Sequence, residues 1–311
     1  MAWFSRWRRS ERRGARVAQV AQVDERESKQ FQFFGDRRHV ADAPYVLPKD
    51  DREVQRLDFQ HYMLRYLLRG NYAAPLHNPA SILDVGCGTG RWATEMATVF
   101  PHANVVGLDL VPPPIEQVNL ATGGVDVRPD NFAFVQGNVL EGLPFSDASF
   151  DFTHMRLLVF ALPTNRWQDV ANELTRVTRP GGWVEWLEGG IATHLPGPAG
   201  ERLNQFANEA ARRRGIDPSY VFRVGEYLKG AGLVNVQQRD IILPAGARAG
   251  RVGQMSVTDY LAVISGMRGP LVAMGVVSPE EFDQTIAQAR VELEQGQSYW
   301  RFPLAYGQRP R

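Results

Sequence analysis

Three glycines within Asp84-Val85-Gly86-Cys87-Gly88-Thr89-Gly90 mark the part of this chain best suited to hold a ligand. They follow a short apolar run, Ser81–Val85, and precede a helical pattern that starts at Arg91. Glycine tolerates positive φ and lets a ligand approach the backbone closely. A loop that opens a helix also turns backbone N–H groups toward a ligand. Three ligand classes compete. A mononucleotide loop needs Lys-Ser/Thr directly after its last glycine, and Arg91-Trp92 stand there instead. A dinucleotide fingerprint needs its third glycine at position 91, where the arginine side chain conflicts with tight helix–strand packing. The spacing found, G-x-G-x-G, is one residue tighter.

Asp84 to Gly90 resembles motif I of the class I S-adenosylmethionine (SAM) methyltransferases, D/E-x-G-x-G-x-G, at every defined position. Four later segments follow in that family's order. Asp109 closes the second strand, Gln136-Gly137-Asn138-Val139 follows the third, Phe150-Asp151-Phe152 opens the fourth, and Arg179-Pro180-Gly181-Gly182 precedes the fifth. Taken alone, the acid at 109 does not discriminate, because NAD enzymes hold ribose hydroxyls in the same way. A narrower resemblance is to the LaeA-like methyltransferases of fungal secondary-metabolism regulation and their bacterial relatives. It rests on Tyr45-Val46-Leu47-Pro48-Lys49-Asp50-Asp51 with Arg56, Asp58 and His61, on Asp151-Phe152-Thr153-His154-Met155-Arg156, and on Tyr306-Gly307-Gln308-Arg309-Pro310. The resemblance covers about residues 40–310.

The resemblance implies SAM as cofactor and S-adenosylhomocysteine as product. Gly86, Cys87, Gly88 and Gly90 would surround the methionine portion, with Asp84 toward its amino group. Asp109 with Leu110 would hold the ribose, Asn138 with Val139 the adenine, and Met155 would lie beside the cofactor. Tyr45 and Arg56 would close over the amino-acid end, with Arg56 pairing the carboxylate. A sulfonium methyl is already activated, so the enzyme must align the reactants and exclude water. A general base is needed only for a nucleophile that arrives protonated. His154 is the expected base and Glu188 the second candidate. The bland alternative is that either side chain only orients its loop. His61 is expected to be a packed or surface helix histidine. Trp183, Trp186, Phe160 and Trp300 are candidates for an aromatic wall or for core.

These residues need elements to position them. Residues 51–69 read as an amphipathic helix capped by Asp50 or Asp51, with Gly70 and Asn71 ending it. Strands are expected at Ser81–Val85, Asn104–Leu110, Asn131–Gln136, Phe150–Met155, Gly182–Leu187, Val234–Leu243 and Tyr299–Gly307, the last in spite of Pro303. Helices are expected at Arg91–Phe100, Trp167–Thr178, Glu201–Arg213 and Val221–Ala231. Residues 254–295 read as helical pieces broken at Gly269-Pro270 and Ser278-Pro279. The pattern predicts an α/β fold. It is a Rossmann-like, doubly wound, mostly parallel seven-stranded sheet with helices on both faces. An N-terminal helical cap and a helical insertion before the last strand complete it. The division expected is a basic tail over 1–30, a cap or lid over 31–80 and a SAM-binding domain over 81–311.

Bulk properties narrow the function. The chain has 311 residues, 44% hydrophobic and 22% charged, as in a globular protein with a sizeable core. One cysteine excludes a disulfide framework and a cysteine-rich zinc site, and the histidines at 39, 61, 77, 102, 154 and 194 have no metal-ligand spacing. No metal and no membrane insertion are expected, and the compartment expected is the cytoplasm. Arg6, Arg8, Arg9, Arg12, Arg13 and Arg16 against Glu11 make residues 1–20 basic, although the whole chain carries only +1. A solvated arm is the leading reading of that tail, with weak contact to nucleic acid or to an anionic membrane surface the alternative. The function expected is methylation of an oxygen, nitrogen or carbon on a small, natural-product-like acceptor. Protein or RNA methylation and a SAM-binding regulatory module are the alternatives. The insertion at 254–295 would shape the acceptor pocket or form a homodimer contact.

Overall fold

The computed structural model describes residues 31–41, 45, 47–113, 116–118, 125–190 and 197–311. The arginine-rich tail, and Val46 of the N-terminal motif, lie outside the described residues.

Seven strands form the central sheet: β3 (Ser81–Val85), β4 (Asn104–Asp109), β7 (Phe132–Gln136), β8 (Phe150–Arg156), β9 (Thr178–Leu187), β10 (Val234–Ala245) and β11 (Ser298–Gln308). Their order is β10-β11-β9-β8-β3-β4-β7. The five from β9 to β7 are parallel, and β11 runs antiparallel to both β9 and β10. The chain winds from β3 outward to β4 and β7, then returns to β8 and β9 on the other side. Direction therefore reverses between β3 and β8, and a doubly wound sheet opens a ligand crevice at the carboxyl ends of such strands. All five residues of β3 are buried, as a central strand covered on both faces requires. Two small ladders were not foreseen: the hairpin β1 (Phe31–Phe34) with β2 (Arg37–Val40), and β5 (Glu116–Val118) with β6 (Val125–Val127).

Helix α1 (Asp51–Leu68) crosses over that crevice. Asp50 caps it by accepting the Glu53 N–H at 3.0 Å, and Arg69, in the left-handed conformation, ends it. The expected apolar stripe is only part of its buried side. Glu53, Arg56, Asp58, Gln60 and His61 are buried together with Met63 and Leu64. Helices α2 (Arg91–Val99), α3 (Trp167–Val177), α4 (Pro198–Arg212) and α5 (Val224–Gly230) flank the sheet. Between β10 and β11 come α6 (Gly250–Ala273) and α7 (Pro279–Gln295). The break expected at Gly269-Pro270 is absent, because Pro270 lies in the last turn of α6 and its missing N–H costs one helical bond. The break at Ser278-Pro279 is real, with Ser278 capping α7 through the Glu281 N–H. Pro303 is tolerated in β11 just beyond the rung Leu187–Leu304, where pairing with β9 stops.

Candidate active site

A cavity of about 370 Å³ lies at the ends of β3, β4 and β7, between them and α1. Its lining includes Gly86, Cys87 and Gly88 from the loop after β3, then Asp109, Leu110, Asn138 and Val139. Tyr45, Lys49, Leu57, Gln60 and His61 face them, with Arg156, Leu157 and Leu158 at one end. The volume falls in the usual range for a cofactor-sized ligand.

The loop bends as the glycines permit, with φ of +69°, +56° and +75° at Gly86, Gly88 and Gly90. A Cβ on Gly86 would lie 2.7 Å from the Leu158 side chain, so Gly86 allows that side chain to close on the loop. The loop amides do not wait for a ligand, contrary to expectation. Gly86 and Cys87 donate to the Leu108 carbonyl at 2.7 and 3.0 Å, and Gly90 donates to Cys87 at 2.8 Å. Gly88 N–H donates to Asp109 Oδ2 at 2.9 Å. A phosphate loop leaves such amides for its anion. This one engages them within the protein and offers close approach instead, which suits a ligand without phosphates.

Asp109 Oδ1 accepts from Lys49 and from the Val111 N–H, each at 3.2 Å. Burial works to lower the Lys49 pKa, but Asp109 outweighs it and holds the ammonium above its ordinary range. Asn138 lines the cavity while its side chain caps the next turn, accepting from Leu140 N–H at 3.0 Å and donating to Glu141 at 2.9 Å. Arg156 lines the same cavity. It donates to His61 Nδ1 at 3.0 Å, and among the described residues no carboxylate forms an ion pair with it. That hydrogen bond leaves the His61 proton on Nε2, which lies 3.2 Å from Glu95. Burial pushes the His61 pKa down to about 4, so the ring is neutral near pH 7.

Several expected roles are not met. Arg56 is engaged twice over, by Glu53 at 2.6 and 2.9 Å and by Asp259 at 3.0 Å, and the cations that line the first cavity are Arg156 and the Asp109-paired Lys49. His154 lines neither cavity. Its ring stacks on Trp92 at 3.8 Å, and its Nδ1 lies 2.9 Å from Asp84 Oδ1, across the β3–β8 rung. Burial lowers its pKa, and its contact with Asp84 works against that shift. Asp84 itself is turned to that histidine and lies behind the cavity wall. Met155 faces the core, because β8 runs one residue further and puts Arg156 at the mouth. Glu188 is fully buried and accepts from Leu158 N–H and Val159 N–H, both at 3.0 Å, and from Trp186 Nε1 at 2.8 Å. It holds the turn after β8 and lines neither cavity. Gly90 serves as the N-cap of α2.

A second cavity, of about 110 Å³, adjoins the first. Tyr45, Leu57, Gln60 and Leu157 line both. Its remaining wall includes Phe160 and Trp300, as expected of the aromatic candidates, and Asp259, Tyr260 and Val263 from α6. Trp186 is core, stacked on Trp167 at 5.1 Å, and Trp183 packs on Tyr306. The sequence reading missed Lys49, Gln60, Arg156 and Asp259. For Gln60 a signal existed: Glu53, Arg56 and Gln60 share one helical face with Leu64.

Residues 82–182 match a methyltransferase domain family. The chain is 32% identical over 210 residues to methyltransferase str2 of Strobilurus tenacellus, covering 65% of this chain and 71% of that protein. It is 26% identical over 281 residues to N-methyltransferase gliN of Aspergillus fumigatus, covering 86% and 96%. It is also 28% identical over 213 residues to the secondary metabolism regulator LAE1 of Cochliobolus heterostrophus, covering 64% and 66%. Sheet order, glycine loop and these likenesses together place the chain in the class I SAM-dependent methyltransferases. It is an enzyme of that family, and SAM is its cofactor.

Proposed function

We propose that the first cavity holds SAM, that the second holds a small organic acceptor, and that the methyl passes between them. The observation that carries this reading is the wall shared by the two cavities, formed by Tyr45, Leu57, Gln60 and Leu157. Bound SAM supplies a methyl group already activated on a sulfonium. The residues present fit it: Gly86 and Gly88 admit its methionine portion, Arg156 pairs the carboxylate, Asp109 takes the ribose hydroxyls, and Leu110, Asn138 and Val139 border the adenine. The protein aligns the reactants and keeps water out, with Tyr45 and α1 as the cover.

The second cavity, of about 110 Å³, is smaller than the apolar cavity of about 150 Å³ that accommodates benzene, so it suits the reacting end of a small acceptor, the rest of which extends toward the wall shared with the first cavity. That size supports a small-molecule acceptor over a polymer, as do the relatives named for secondary metabolism and N-methylation. Calorimetry of SAM binding tests the cofactor half. Asp109→Ala should weaken affinity at least about tenfold, as expected for loss of charge-assisted hydrogen bonds; unchanged affinity would refute the ribose assignment. Deleting residues 1–20 tests the macromolecular alternative. Turnover of a small acceptor should be the same with and without the tail at low and high salt, whereas a nucleic-acid substrate would show a salt-dependent loss.

A further inference from the structure

The second cavity is apolar for most of its length, where Leu243, Val263, Ile264 and Phe302 accompany the rings of Tyr260 and Trp300. Its charged lining side chains, among the described residues, are Arg56 and Asp259. Both lie at the end shared with the first cavity, because Gln60 lines both cavities and donates to Asp259 Oδ2 at 3.0 Å. Glu53 stands behind them, held by two hydrogen bonds from Arg56. Glu53, Arg56 and Asp259 are only 2%, 8% and 5% exposed. Two carboxyl groups therefore face one guanidinium, a buried surplus of one negative charge when both are ionised, and burial raises the pKa of each. The neighbouring cations do not cancel it, since Arg37 is paired with Asp50 at 2.6 Å and Lys49 with Asp109 at 3.2 Å. A surplus charge kept away from water is costly unless something compensates it.

We propose that this triad selects a neutral nitrogen nucleophile on a small molecule and stabilises the positive charge that the nitrogen acquires. The inference rests on the two-cavity reading above. In the transfer, the nitrogen lone pair forms the bond to the methyl carbon, the carbon–sulfur bond breaks, and its electron pair stays on sulfur as a neutral thioether. Positive charge thus moves from sulfur to nitrogen, and the product ammonium afterwards releases its proton to water. A fixed carboxylate beside the nitrogen favours the transition state over the uncharged amine. A phenolate or enolate meets the reverse situation, because the same surplus charge repels it. A neutral hydroxyl needs a base at the junction. The candidates there are engaged: the His61 lone pair at Nδ1 accepts from Arg156, and Asp259 is bound by Arg56 and Gln60.

The test compares benzylamine with p-cresol, which are similar in size, by following S-adenosylhomocysteine formation at about pH 9, where an alkylamine is partly neutral. Benzylamine should show a kcat/KM at least about tenfold above p-cresol. Asp259→Asn should reduce the amine value by about tenfold or more while SAM affinity by calorimetry is unchanged. Preference for p-cresol, or an Asp259→Asn enzyme with the same amine-to-phenol ratio, overturns the proposal. Tight SAM binding without turnover of benzylamine also overturns it and leaves the cofactor reading standing. Absence of SAM binding removes both. The wild-type ratio decides the matter even if Asp259→Asn does not fold.

Discussion

Arg156 and His61 show how burial sets chemistry at single positions. A guanidinium remains charged when buried, whereas an imidazole gives up its proton. The pair therefore presents one fixed positive charge to the first cavity, oriented by a neutral ring. Arg156→Gln should weaken SAM binding by about ten- to hundredfold, the value of a charge-assisted hydrogen bond. Binding measured by calorimetry at unchanged affinity would contradict that role. His154→Gln separates positioning from proton transfer. If the histidine only orients Asp84, the pH–rate profile keeps its shape while SAM affinity falls; loss of an ionisation from kcat would restore His154 as base. Residue type and motif place were legible in the sequence for Asp109, Gly86 and Gly88. The direction of a side chain was not. His154 and Arg156 sit two apart on one strand and so share a face, yet only the second extends past the strand's end into the cavity.

At the scale of elements, α1 is the least ordinary piece. A helix covering a core buries an apolar stripe, but this one buries five polar residues, and each has a partner on another element or within the helix. Asp58, for example, accepts from Thr89 Oγ1 at 2.7 Å and from Arg91 Nη2 at 3.0 Å, tying the helix to the glycine loop. Arg91, the residue that turned the sequence away from a dinucleotide site, is thus the anchor of the cover. The loop below it has little slack. Gly86→Val would drive a side chain into Leu158 and impose an unfavourable positive φ. It should cost about 1–3 kcal/mol in stability and abolish measurable SAM binding; a normal melting temperature with normal affinity would refute the packing argument. Strands and helices of the sheet were readable because their apolar runs are long and ordered. The two small ladders and the unbroken α6 were not, since short strands carry little periodic signal and a proline's effect depends on where in the helix it falls.

For the molecule as a whole, buried acids tie stability to pH. Burial pushes Glu185 and Glu188 each up to about 7. Between the ordinary carboxyl range and pH 7, the folded chain then binds more protons than the unfolded chain, so these groups lose stability as pH rises through that window. His61, pushed down to about 4, acts in the opposite sense between pH 4 and its ordinary range. The difference between variant and wild type isolates one group. The melting temperature of Glu188→Gln relative to wild type should rise steadily from pH 4.5 to 7, a gain of up to about 3 kcal/mol at roughly 1.4 kcal/mol per pH unit. A difference that stays flat over that range would show that Glu188 is ionised throughout.

The sequence by itself pointed to the cofactor class, through the resemblance of its tight glycine loop and the later segments to one family's motifs, and to a doubly wound, mostly parallel sheet, because strands and helices alternate along the chain. The tertiary structure decided which charged groups face the ligands. Arg56 and Asp259 are 203 residues apart, and Arg156 and His61 are 95 apart. No local pattern carries such pairings, since they form only when α1 and α6 close over the sheet and leave each charge to find its partner out of water.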